Sequence, residues 1–180
     1  MARNRGTGAV LIALAVVVAL ATVSGLGCSR SADPSDGDVL LGPRERDDDG
    51  SRVLSVDGTD IRMVSVPGAL VEGWPSELPA PAGTDIRYSE SIEADGSDAT
   101  VYRAEFEVGE VFDEVLASYI VALRDAGWAI DEEASAGEAG SRSAALSASR
   151  TDGVLGAVVT ELEDGVSVFL EAGILATGGE

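Results

Sequence analysis

The sequence predicts an α+β domain: one helix packed on one face of a twisted antiparallel sheet, preceded by a small N-terminal hairpin and a disordered acidic tether. Three observations predict it. Asp-Gly turn signals recur between runs of strand character. A single stretch, around residues 112–123, has the three-and-four apolar spacing of a helix. The region from 29 to 50 is too polar to bury a core. The resulting division is a signal segment over residues 1–27, a lipid-anchored tether over 28–50, one α+β domain over 51–175 and a short tail over 176–180.

The N-terminus carries Arg3 and Arg5 and then an apolar run from Gly8 to Leu26. A positive start, an apolar middle and small residues before a cut site have the layout of a secretory signal. All 32 acidic residues lie after Cys28, in keeping with an inside-positive orientation. The segment Leu26-Gly27-Cys28 resembles the lipobox of bacterial lipoproteins, which implies lipidation of Cys28, the only cysteine of the chain. In that family Leu usually stands three places before the Cys, a place held here by Gly25. Two other readings stay open: an uncleaved transmembrane helix, since 19 residues from Gly8 to Leu26 just span a bilayer, and an ordinary signal peptide with a free thiol. Either anchored reading places the domain on the outer face of the cell membrane.

The tether has Val39, Leu40 and Leu41 as its main apolar content. Twenty-two such residues reach at most about 75 Å. Within it Asp47-Asp48-Asp49-Gly50 invites a calcium reading, but with Gly50 at the sixth place of an EF-hand loop the twelfth place falls on Val56, where a bidentate Glu is needed. A solvated acidic linker is the better account.

From Ser51 the turn tripeptides are Val56-Asp57-Gly58, Ala94-Asp95-Gly96, Thr151-Asp152-Gly153 and Glu163-Asp164-Gly165. On the arms around Asp95-Gly96, Ile86, Tyr88 and Ile92 share one parity with Tyr102, Ala104 and Phe106. Like parity on both arms predicts a three-residue loop closed by a Gly bulge, pairing Ile86 with Ala104 and Tyr88 with Tyr102. The same argument pairs Leu162 with Val166, Val158 with Leu170 and Leu146 with Val158, so the even-numbered strand positions should form the core with the helix.

Phe112, Val115, Leu116, Tyr119, Ile120 and Leu123 form the apolar face of that helix. Glu110, Asp113 and Glu114 favour its N-terminus, Arg124 its last turn, and Gly127 stops it. The order is therefore hairpin, Pro-rich connector, hairpin, helix, then up to four antiparallel strands. The sheet face away from the helix should carry Arg87, Arg103, Glu105 and Glu107 at one end and Val159 and Phe169 at the other.

The chain has a formal charge of −20, with 12 basic residues, all Arg, and neither Lys nor His. Without His there is no Ser–His–Asp or Cys–His catalysis and no imidazole metal ligand. Without Lys there is no Schiff base and no P-loop anchor. The acidity repels nucleic acid. No cofactor site and no metal site is expected.

The remaining candidates each have a structural counterpart. Trp74-Pro75-Ser76-Glu77-Leu78-Pro79-Ala80-Pro81 would serve as a polyproline-like ligand for a partner's groove, or Trp74 and Leu78 pack on the sheet and tie the chain down; packing is favoured. Carboxylate pairs such as Glu105 with Glu107 and Glu161 with Glu163 would suit a glycosidase, but a solvated strand face explains them better. Arg87 and Arg103 would clamp a carboxylate or phosphate if neighbours; cross-strand pairing with acids is the commoner use.

The lipobox-like start, the acidic linker, the Asp-Gly hairpin and Gly73-Trp74-Pro75-x-x-Leu78-Pro79-x-Pro81 together resemble uncharacterised lipoproteins of high-GC, actinobacterial-type bacteria. In those proteins, too, a helix ends in Ala-Gly-Trp, as Ala126-Gly127-Trp128 does here. The likeness spans roughly residues 52–172 and implies layout and address; it transfers no catalytic residue. The expectation is a membrane-anchored extracytoplasmic binding or scaffolding module, not an enzyme, facing a membrane-protein or cell-wall partner. The alternatives are a carboxylate-dependent hydrolase of envelope polysaccharide and an accessory subunit of a membrane complex with an apolar patch at Phe169 and Val159.

Overall fold

The computed structural model describes residues 51–56 and 59–176. The signal segment, Cys28, the tether and the turn at Asp57-Gly58 lie outside the described residues. The elements run β1 (Ser51–Val56), β2 (Thr59–Pro67), β3 (Thr84–Ala94), β4 (Ala99–Val108), α1 (Phe112–Asp125), β5 (Ala129–Ala136), β6 (Ser143–Arg150), β7 (Gly153–Leu162) and β8 (Gly165–Leu175). All strands join one eight-stranded sheet in the order β1-β2-β3-β4-β8-β7-β6-β5, each pair antiparallel. The fold is α+β and dominated by its sheet. The N-terminal hairpin is no separate piece, because β2 pairs with β3 and continues the sheet.

Helix α1 forms where the apolar spacing predicts it, and all six residues of its apolar face are buried. Its N-cap, Val111, offers no side-chain acceptor, and Asp113 and Glu114 in the first turn favour the helix dipole. At the other end Gly127 adopts φ 88°, a left-handed conformation that residues with a Cβ rarely adopt. There Trp128 N–H donates to the Leu123 carbonyl and Gly127 N–H to that of Arg124, each at 3.0 Å, in a Schellman closure.

The helix lies on β5, β7 and β8. On the same face the connector between β2 and β3 covers β3 and β4. Leu78 is buried in the common core with Phe106, Leu123, Val159 and Leu170. Burying one such Leu stabilises by roughly 1.5–3 kcal/mol. Two indoles fasten the connector: Trp74 Nε1 donates to the Leu78 carbonyl at 2.8 Å and Trp128 Nε1 to the Glu77 carbonyl at 2.6 Å. Ser89, fully buried, accepts from Val71 N–H at 2.7 Å and donates to the Ala69 carbonyl at 2.9 Å.

The register departs from the like-parity pairing in all three hairpins. Leu162 faces Gly165 and Arg150 faces Gly153, so Glu163-Asp164 and Thr151-Asp152 are two-residue loops. A two-residue loop pairs even with odd positions. Val158 therefore faces Phe169, not Leu170, and Leu146 faces Ala157, not Val158. The core takes even positions from β4, β6 and β8 but odd ones, Leu155, Ala157 and Val159, from β7. In the β3–β4 hairpin four residues, Asp95 to Asp98, separate the strands, with Gly96 at φ 77° and Ser97 N–H bonded to the Ala94 carbonyl. A bulge at Arg87 then resets β3: Ile86 faces Phe106, whereas Ser89 faces Ala104 and Tyr88 faces Glu105. Ile86 thus leaves the face that Tyr88 and Ile92 share, and Ser89 turns inward to hold the connector.

Two measurements test this packing. Val159 is fully buried while Val158 is 38% exposed. Val159→Asp is expected to abolish folding at room temperature, and Val158→Asp to cost about 1 kcal/mol or less. Urea titration of both checks it, and equal costs would refute the register. Tyr119 is 1% exposed and its hydroxyl has no hydrogen-bond partner among the described residues, and burial holds its pKa well above the ordinary value. Tyr119→Phe removes an unsatisfied group and is expected to stabilise by about 1 kcal/mol; a loss of that size would reveal a polar partner for the hydroxyl.

Candidate functional site

Strand alternation sends every second side chain to the face away from α1. No described element covers that face. In register across it run Tyr88, Glu105, Phe169, Val158 and Ala145 from β3, β4, β8, β7 and β6. The adjacent row is Glu90, Arg103, Glu171, Gly156 and Ser147. One row is mainly apolar and aromatic, its neighbour mainly charged.

Arg103 organises the charged row. Its Nε donates to Glu171 Oε2 at 2.6 Å, and its Nη1 lies 3.7 Å from Glu90 Oε2. Glu171 is 8% exposed, although no described element covers the face around it. Its cross-strand neighbour in β7 is Gly156. Glu105 accepts from the Ser167 hydroxyl at 3.4 Å. Tyr88 has its phenol pKa raised, first by desolvation and then by Glu105 and Glu90.

The residues expected from sequence are distributed as follows. Phe169, half-buried, and Arg103 sit on the open face. Val159 does not: it is in the core, and Val158 stands in the exposed place beside Phe169. The cause is the two-residue loop at Glu163-Asp164, which inverts the parity of β7. Arg87 and Arg103 form no clamp, since Arg87 donates to Glu107 at 2.5 Å and Arg103 to Glu171. Trp74 is half-buried against the core and meets Tyr102 edge-on, with centroids 5.6 Å apart at 76°. It packs rather than projecting as a ligand. Glu90, Tyr88 and Glu171 were missed. The signal for Glu171 was present in Phe169-Leu170-Glu171-Ala172, where an acid interrupts an otherwise apolar strand.

A second polar cluster lies where α1 begins. Arg142 forks onto Glu161, with Nε 3.0 Å from Oε2 and Nη2 2.9 Å from Oε1, and also donates to Asp113 at 2.9 Å. Its guanidinium sits 4.6 Å from the Phe112 ring centroid. Glu161 accepts in addition from Gly140 N–H at 2.7 Å, so this group ties the 137–142 turn and the helix start to β7. A depression of about 340 Å³ opens beside it, lined by Phe112, Leu116, Glu133 and Arg142 among others. Arg142, the cation in that lining, is already committed to two carboxylates.

Among the described residues no group of three or more His, Cys, Asp or Glu is gathered to hold a metal ion. Among them too, no helix is long and apolar enough to cross a membrane; the Gly8–Leu26 run lies outside them. No family model, no curated protein and no solved structure matches the chain.

Hydrogen bonding to Arg142 holds Glu161 down to about 2 from an ordinary value of 4.5. A depressed carboxylate pKa contributes stability that is full above the unfolded value and fades as pH falls through the folded one. Glu161→Gln should therefore narrow the stability gap from wild type as pH drops from about 4.5 to about 2. Thermal melts at pH 7 and pH 3 check it; a gap that does not change with pH would show that the pair contributes nothing to acid sensitivity.

Proposed function

We propose that the chain is a membrane-anchored, extracytoplasmic binding or scaffolding module without chemistry of its own, and that the sheet face opposite α1 is its binding surface. The anchor and its location rest on the N-terminal pattern around Cys28. The surface rests on one observation: Val158 and Phe169 stand side by side on a face that no described element covers, with Val158 38% exposed. Contiguous apolar residues bounded by polar ones mark contact sites on soluble domains. The same pair favours an accessory subunit of a membrane complex over a free-standing binder, because a protein partner offers the broad apolar area such a flat face can meet. The hydrolase reading is supported less well. Of the carboxylates on this face, Glu171 and Glu90 are both engaged by Arg103, at 2.6 and 3.7 Å, an ion-pair use that commits them to the fold.

In-cell crosslinking of the full-length chain tests the reading. One membrane-protein adduct should form with wild type, weaken about tenfold or more in Phe169→Asp and Val158→Asp, and persist in Val121→Asp, whose Val is 54% exposed on the helix. Equal capture by all three variants would remove the open face from consideration. Turnover of a cell-wall polymer by purified protein, lost in Glu171→Gln, would replace the reading with the hydrolase.

A further inference from the structure

The sheet has two edges, and they are built differently. β5, at one end, carries Asp131, Glu132 and Glu133 in succession and is interrupted by a bulge between Ile130 and Glu132. Charges and bulges on an edge strand are the usual defences against another strand adding to it. β1, at the other end, is the run Ser51-Arg52-Val53-Leu54-Ser55-Val56, with one charged residue in six. It pairs with β2 at every position from Ser51 to Val56 without a bulge. An antiparallel strand spends alternate N–H and C=O groups on each side. On its outer side β1 meets no strand among the described residues.

Charge selects what fits there. The strand is preceded in sequence by Asp47-Asp48-Asp49 and followed by Asp57, in a chain of net charge −20. A second copy carries the same acidic charge, and like charges in apposition oppose association. An extended segment with cationic residues at its ends meets the reverse situation.

We propose that β1 is a docking edge for an extended, positively charged segment of a partner protein, which adds to the sheet as a ninth strand. Backbone hydrogen bonds supply the affinity, and the chain's acidic charge supplies the choice of partner. This surface is separate from the open face, and its test is independent of that one.

The experiment is amide hydrogen exchange on the full-length chain in detergent, followed in the fragment containing 51–56. Three end-blocked synthetic peptides serve as probes: Arg-Thr-Val-Thr-Val-Thr-Arg, the same peptide with Asp at both ends, and the Arg-ended peptide N-methylated at every internal residue. At about ten times its Kd, the first should slow exchange in β1 about tenfold, while exchange in β7 and β8 is unchanged. The Asp-ended and N-methylated peptides should leave β1 unprotected. Protection by neither unmethylated peptide, or by both equally, overturns the proposal. So does protection by the N-methylated peptide, which would reduce the effect to charge. Two results without any peptide also overturn it: protection that rises with protein concentration, which assigns the edge to a second copy, and protection lost on changing Val39, Leu40 and Leu41 to Ser, which assigns it to the chain's own tether.

Discussion

Everything on both faces of this sheet depends on the length of two turns. Thr151-Asp152 and Glu163-Asp164 each connect strands with two residues, so paired positions in β6, β7 and β8 have opposite parity. A slip of one residue would exchange the two faces of β7. Val159, Ala157 and Leu155 would leave the core, and Val158, Gly156 and Thr160 would enter it. The turns thereby place a bulky Val beneath α1 and, on the same strand, set Gly156 opposite Glu171. Core packing and the layout of the open face are one constraint seen from two sides.

The element order, the helix and its buried face were legible in the sequence, because apolar periodicity and the Gly127 stop are local signals. Register was not. Ile86, Tyr88 and Ile92 present one parity, and nothing local reveals that Arg87 is an extra residue in the ladder. The bulge serves a distant need: it turns Ser89 inward to satisfy Val71 and Ala69 of the connector, 18 and 20 residues earlier. In β7, Val154-Leu155-Gly156-Ala157-Val158-Val159 is apolar on both parities, so the pattern could not choose a face and the turn had to. Of the open face, Phe169 and Arg103 were read correctly, Val159 was displaced by its neighbour Val158, and Glu90 and Glu171 emerged only through the pairing of β3, β4 and β8.

The connector explains how one short helix suffices for a sheet of eight strands. Helix α1 reaches β5, β7 and β8, and β3 and β4 would otherwise be bare on the same side. Leu78 in the core with Phe106, Trp74 edge-on to Tyr102 and the Ser89 bonds to Val71 and Ala69 bring the connector down onto them, so the distinctive Trp-Pro-rich stretch helps complete the core. Its prolines suit that role, since a chain crossing a sheet without pairing has to be stiff and needs few backbone donors. The consequence is an asymmetric domain, with one face sealed and the other left to the alternating side chains of the strands.

Charge then governs what that asymmetric domain can meet. Four of the described arginines, Arg87, Arg103, Arg142 and Arg150, are bonded to carboxylates of the same chain. With 32 acids against 12 arginines, the surplus charge on the molecule is carboxylate. Two copies approaching through their open faces repel before Phe169 and Val158 can touch, over a range of about 8 Å at physiological ionic strength. The surplus acidity therefore opposes close approach of a second copy to the face that no described element covers.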